Sequence, residues 1–231
     1  MNLEKITYQL FFITGGLAFL ASIFINGLMI YLRPLVIMSL CFLYIKKAEK
    51  LNYLVLFSLL MLMICETLYF HDYLGNFEAL HILLSSYYLL NVVLLWKSLQ
   101  LVKIQFRKIF TIQLIISMTL ITYVLVTVAN LISPAVNEHS LVLNILVVFF
   151  AIFIGVCYYI YLNSKTVTSY SLMVAASCFL IVNIVTALHR LYVPLDVFPV
   201  ITNLLQISGQ FFLVKFFIEQ HNLVPSGKDY F

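Results

Sequence analysis

Charge is what this sequence has least of. Asp, Glu, Lys and Arg together make up 10% of its 231 residues, against about a quarter in an average soluble domain, and that scarcity excludes a water-soluble globular fold. Long polar connectors are missing as well, so no loop is long enough to hold a soluble domain. The four cysteines, Cys41, Cys65, Cys157 and Cys178, all fall inside apolar segments without CxxC spacing. They read as small packing residues rather than a disulfide framework or redox motif. No HExxH or comparable metal-ligand spacing occurs, and no cofactor motif is present. Internal repeats and low-complexity tracts are absent. So is the broken-helix pattern of a transporter's midplane site, apart from the dipeptide Arg33-Pro34. The net charge of +4 lies beside apolar segments rather than in a basic patch, so no nucleic-acid partner is implied.

What is abundant is apolar sequence, 64% of the chain, with a mean hydropathy of +1.07. The implied fold class is all-α, a polytopic membrane bundle built from segments of about 20 apolar residues. Eight such segments are expected: Thr7–Ile25, Leu28–Ile45, Tyr53–Phe70, Phe77–Trp96, Ile109–Ile132, Ser140–Leu162, Tyr170–His189 and Val197–Ile218. Only Asn26-Gly27 and Arg33-Pro34 interrupt the first two, so seven helices with a re-entrant second piece is the competing count. The run after Lys5 is too long for a signal-peptide core and reads as an uncleaved first helix. Residues 1–221 form a single transmembrane domain in this reading, with 222–231 as a short flexible tail. The protein is expected to be integral to a membrane, the cell (inner) membrane being the natural assignment.

Basic residues orient the bundle. With both termini cytoplasmic, the inner side carries Lys5, Lys46, Lys47, Lys50, Lys97, Lys103, Arg107, Lys108, Lys165, Lys215 and Lys228, leaving only Arg33 and Arg190 outside. So strong a bias supports an N-in, C-in arrangement. Asp72, Glu78, Glu138 and Asp196 fall in the outer connectors, and tyrosines such as Tyr53, Tyr69 and Tyr192 sit near segment ends, where amphipathic rings favour the interface.

Within the apolar run Tyr53–Phe70 a single ionisable residue, Glu66, stands out. Charges inside a membrane are rare, usually turned inward, and paired or functional. Glu66 lies roughly 6 Å below the outer end of its segment at 1.5 Å per residue, and Arg33 enters the second segment to nearly the same depth. Neighbouring helices joined by a short loop usually pack together, so Arg33 and Glu66 are expected to pair. Further polar residues reach this layer on single helix faces: Asn183, Thr186 and Arg190 in the seventh segment, Asn203, Gln206 and Gln210 in the eighth, and His81, Ser85 and Tyr88 in the fourth. Thr127, Asn130 and Asn144 complete it. Taken singly, such residues mostly hydrogen-bond across helices, at about 0.6 kcal/mol each. Clustered around a Glu and an Arg, they suggest a polar pocket in the outer half of the bundle.

At these residues the sequence resembles the lysoplasmalogenase-like YhhN family of eight-helix membrane proteins. Arg33-Pro34-Leu35 is similar to that family's Lys-Pro-Leu, Leu59-Leu60 through Cys65-Glu66 to its Leu-Leu…Gly-Asp, and Asn76-Phe77 to Tyr88 to its helix-four stretch ending in Tyr. Pro134 matches a proline after helix five, Val182-Asn183 stands where the family has Ser-Asp, and Gln210 matches a Gln in helix eight. The similarity runs in order along nearly the whole chain, through short and degenerate motifs. It implies hydrolysis of the vinyl-ether bond of a lysoplasmalogen or related membrane lipid, with Glu66 as acid or base and Asn183 as a hydrogen-bonding companion. Arg33, Ser86, Asn203, Gln206 and Gln210 would then hold the substrate. The departures are that Glu66 replaces an Asp, Asn183 replaces the second carboxylate, and the helix-four His is replaced near Ser86.

Other classes remain in view. A non-enzymatic lipid-binding or structural membrane protein would keep the pocket and lack the carboxylate pair. A metal hydrolase built on His71, Asp72, His81, His139 and His189 would need a ligand spacing these residues do not show. A retinal protein would need Lys215, which reads better as a lysine snorkelling to the interface. Oligomeric state leaves no trace in the sequence.

Overall fold

Among the described residues of the computed structural model, eight helices are long and apolar enough to cross a membrane, and they carry the fold. The structure describes residues 3–102, 112–132, 134, 140–164 and 166–223, and among these there is no strand. The helices are α1 (Leu3–Phe24), α2 (Met29–Lys47), α3 (Tyr53–His71), α4 (Phe77–Leu101), α5 (Ile112–Ile132), α6 (Ser140–Ser164), α7 (Val167–Leu191) and α8 (Val197–Glu219). The eight-helix count holds against seven. A single 3-10 turn, Asn26–Leu28, separates α1 from α2, and α2 is a full-length helix rather than a re-entrant piece.

Local sequence explains the breaks. Asn52 caps α3 by accepting from the Leu54 amide, satisfying one of the donors a helix start leaves open. Beyond α3, Asp72 accepts from the Gly75 amide and closes the turn into α4. Thr166 and Ser169 form a reciprocal capping box at the head of α7. Pro34 lies near the start of α2 and the helix runs through it.

Seven helices close a ring, α1–α2–α3–α4–α6–α7–α8 and back to α1, with α2 also touching α8. The fifth helix stands apart, packed chiefly on α6 and α7. Chain order therefore predicts both neighbours of α2 and of α3 but only one of α4's, which packs on α3 and on α6. Aromatic and branched side chains such as Phe153, Phe179, Phe216 and Leu95 fill the centre. Large apolar residues including Phe12, Tyr31, Phe57, Ile116 and Leu141 point outward. Outward apolar faces all round a bundle, with polar groups inside, are what a lipid solvent demands.

The sequence reading ends the domain at 221, but Leu223 is buried in the core. The remainder of the expected tail, residues 224–231, lies outside the described residues. So do the expected start of the fifth segment at Ile109 and the residues Lys103, Arg107, Lys108, Glu138, His139, Lys165 and Lys228.

Candidate functional site

Glu66 faces the interior and is 7% exposed. It is reached by Arg33, one turn into α2, whose Nη1 lies 3.3 Å from Oε1 of Glu66. Two amides one turn apart on α8 donate to the same oxygen, Gln206 from Nε2 at 2.9 Å and Gln210 from Nε2 at 3.2 Å. Three helices are thus joined through a single oxygen atom. Since Arg33, Gln206 and Gln210 all donate to Oε1, that oxygen is an acceptor only, and Oε2 is the one through which a proton can pass. The Arg33 guanidinium also lies 5.7 Å from the centre of the Phe70 ring, while its Nε is buried without a partner among the described residues.

Asn183 is not bonded to Glu66. Its Nδ2 donates to the Tyr88 hydroxyl at 2.7 Å and to the Phe179 carbonyl at 2.8 Å. The Tyr88 oxygen is an acceptor in that contact, so its own proton is directed elsewhere. His81 is buried and donates from Nδ1 to the Phe77 carbonyl, with its ring stacked on Phe77. Toward the end of the bundle, Arg190 donates from Nε to the Tyr69 hydroxyl at 3.1 Å and lies 4.7 Å over the Tyr69 ring and 5.7 Å from that of Tyr73. Burial raises the Tyr73 phenol above its ordinary range, Tyr69 adds to the shift and Arg190 opposes it. Tyr73 is therefore a neutral hydroxyl.

These groups share one cavity of about 520 Å³, within the range of small-molecule sites. Arg33, Glu66, Gln206, Tyr88, Asn183 and Arg190 line its polar side. Its apolar side draws chiefly on α4, α5, α6 and α7, through residues such as Leu84, Leu125, Ala129, Leu143 and Phe150, while His81, Thr186, His189 and Thr202 add further polar groups to the wall. No family model, curated protein or solved structure matches the chain. What the site can do is accordingly read from its own residues.

Several expected residues lie elsewhere. Ser86 bonds back to the Ile82 carbonyl, a local helical contact, and is not part of the wall. Asn203 is 1% exposed and donates to the Ala18 carbonyl of α1, so it joins two helices rather than facing a ligand. Thr127, Asn130 and Asn144 are exposed on outward faces of α5 and α6. Gln210 reaches Glu66 from behind the wall and supports the carboxylate instead of contacting the cavity. Among the described residues no three of His, Cys, Asp and Glu gather as a metal site would require.

Sequence reasoning missed the apolar half of the cavity. Leu125, Val128, Ala129 and Ile132 of α5 belong to it, yet nothing distinguishes them from lipid-facing residues in a uniformly apolar helix. It also missed Thr202 in the wall, which stands beside the face read for Asn203 and Gln206.

Proposed function

We propose that this membrane protein takes a single-chain polar lipid into the cavity and hydrolyses its vinyl-ether bond, as the resemblance to lysoplasmalogenase-like proteins implies. The supporting observation is the division of one cavity into a polar side centred on Glu66 and an apolar side between α4, α5, α6 and α7. A polar group beside Arg33 and Gln206, with its chain against Leu125 and Phe150, matches that division.

In such a reaction a proton adds to the vinyl carbon farther from the ether oxygen, leaving positive charge shared between the nearer carbon and the oxygen. Water adds to that carbon and gives up a proton, and the resulting hemiacetal breaks its carbon–oxygen bond into a fatty aldehyde and an alcohol. One water is consumed and the proton is regenerated. Glu66, through Oε2, is the group that would deliver and recover it, and its charge would steady the cationic centre. The test is aldehyde release from lysoplasmalogen by purified protein. Glu66→Gln should lower the rate on the order of 100-fold or more. No aldehyde from the wild type overturns hydrolysis, and equal rates remove Glu66 from the mechanism.

A second reading, a lipid-binding protein without turnover, is favoured by a specific observation. Glu66 is tied to Arg33 and two amides, and the position of the second carboxylate holds Asn183, which is bonded to Tyr88. Lipid recovered unchanged from purified protein that releases no aldehyde would select it.

A further inference from the structure

The cavity wall carries two guanidinium groups but one carboxylate. Arg33 is neutralised by Glu66. Arg190 has no carboxylate within 4 Å among the described residues, although it lies in the same wall. Its Nε donates to the Tyr69 hydroxyl, and its Cζ lies 4.7 Å from the centre of the Tyr69 ring and 5.7 Å from that of Tyr73. These contacts hold the group in place and leave its two Nη nitrogens without a partner among the described residues. A held guanidinium whose outer nitrogens remain available is suited to bidentate contact with a phosphate. It lies one residue from the end of α7, and the end of a membrane-spanning helix is where lipid headgroups meet water.

We propose that Arg190 binds the phosphate of a single-chain phospholipid at the mouth of the cavity while the chain occupies the apolar side. This rests on the lipid-binding reading above and adds to it a headgroup class and an orientation. The competing account is purely structural: a cation at a helix C-terminus is favoured by the helix dipole, by about 0.3–1 kcal/mol, and Arg190 also joins α7 to the end of α3. A latch of that kind would affect every ligand alike, whereas an anion site discriminates between them.

The experiment compares three probes on the purified full-length protein in detergent micelles: a lysophosphatidylcholine, a monoacylglycerol with the same chain, and inorganic phosphate. Affinities are read by calorimetry or native mass spectrometry. The wild type should bind the lysophospholipid on the order of tenfold more tightly than the monoacylglycerol. Arg190→Gln should abolish that preference and leave monoacylglycerol affinity unchanged, which also shows that the variant is folded. Arg190→Lys should restore only part of it.

Equal affinity of the wild type for the two lipids overturns the role of Arg190 and leaves the lipid reading intact. Binding of neither lipid overturns the lipid reading itself. Weakening of both lipids alike in Arg190→Gln assigns Arg190 to the structural latch and overturns the proposal. Millimolar phosphate should compete with the lysophospholipid alone. Phosphate bound through Arg190 without any lysophospholipid preference would make a free aqueous anion the ligand and overturn the headgroup assignment.

Discussion

Arg33 and Glu66 stand 33 positions apart in the chain and on different helices, yet their charged atoms lie 3.3 Å from one another with both side chains buried. Away from water, a lone charge costs far more than a matched pair, so removing one partner should do more harm than removing both. Arg33→Met and Glu66→Leu are each expected to lower stability by about 3 kcal/mol. The double variant should lose clearly less than the sum of the two. Thermal unfolding in detergent, arranged as a double-mutant cycle, measures the difference, and strict additivity would contradict the pairing.

The same pair shows how far the sequence could be read. Glu66 was conspicuous because nothing else in Tyr53–Phe70 is ionisable, and a short loop between two apolar segments is enough to place Arg33 beside it. Gln206 could be added because it shares a helix face with Asn203 and Gln210. The face alone could not say that Asn203 turns toward α1 and Gln206 toward Glu66, because i, i+3 residues differ by about 60° around the axis and face different neighbours. Asn130 and Asn144 reach the right depth but on exposed faces: α5 meets the cavity through Leu125, Val128 and Ala129, and α6 through Leu143, Val147 and Phe150, and neither asparagine lines it. Depth is legible from a sequence, but the helix face that meets a given neighbour depends on how the ring closes.

Two glycines should respond in opposite directions. At Gly209 an added methyl would stand 3.0 Å from Cβ of Cys178 and 3.3 Å from Cε1 of Phe179, in the interface where α7 and α8 meet. At Gly16, in the middle of α1, nothing lies within 4 Å. Gly209→Ala should destabilise by about 1–3 kcal/mol through overpacking, while Gly16→Ala should be neutral or stabilise by up to about 1 kcal/mol through helix propensity. Melting temperatures of the two variants, measured side by side, check the contrast.

Asn203 and Gln206 offer a separation of structure from ligand contact. Asn203 donates to the Ala18 carbonyl, while its own oxygen has no partner among the described residues. Asn203→Leu should therefore cost no more than about 1 kcal/mol and leave lipid binding unchanged. Gln206 both bonds to Glu66 and lines the cavity, so Gln206→Leu should weaken lipid binding at a similar cost in stability. A lipid titration of both variants, paired with their unfolding curves, would contradict this assignment if Asn203→Leu were the weaker binder.

The apolar side of the cavity can be tested without touching a polar atom. Ala129 of α5 lines it together with Leu125 and Val128, and α5 rests chiefly on α6 and α7. Phenylalanine at position 129 would project a ring into the space assigned to the lipid chain. Because α5 stands at the periphery, it can yield slightly without disturbing the ring of seven helices. Ala129→Phe should accordingly change stability by less than about 1.5 kcal/mol and lower the affinity for long-chain lipids on the order of tenfold, with short-chain analogues affected less. Affinity measured against chain length reads this directly. A uniform loss at every length would place the chain elsewhere in the protein.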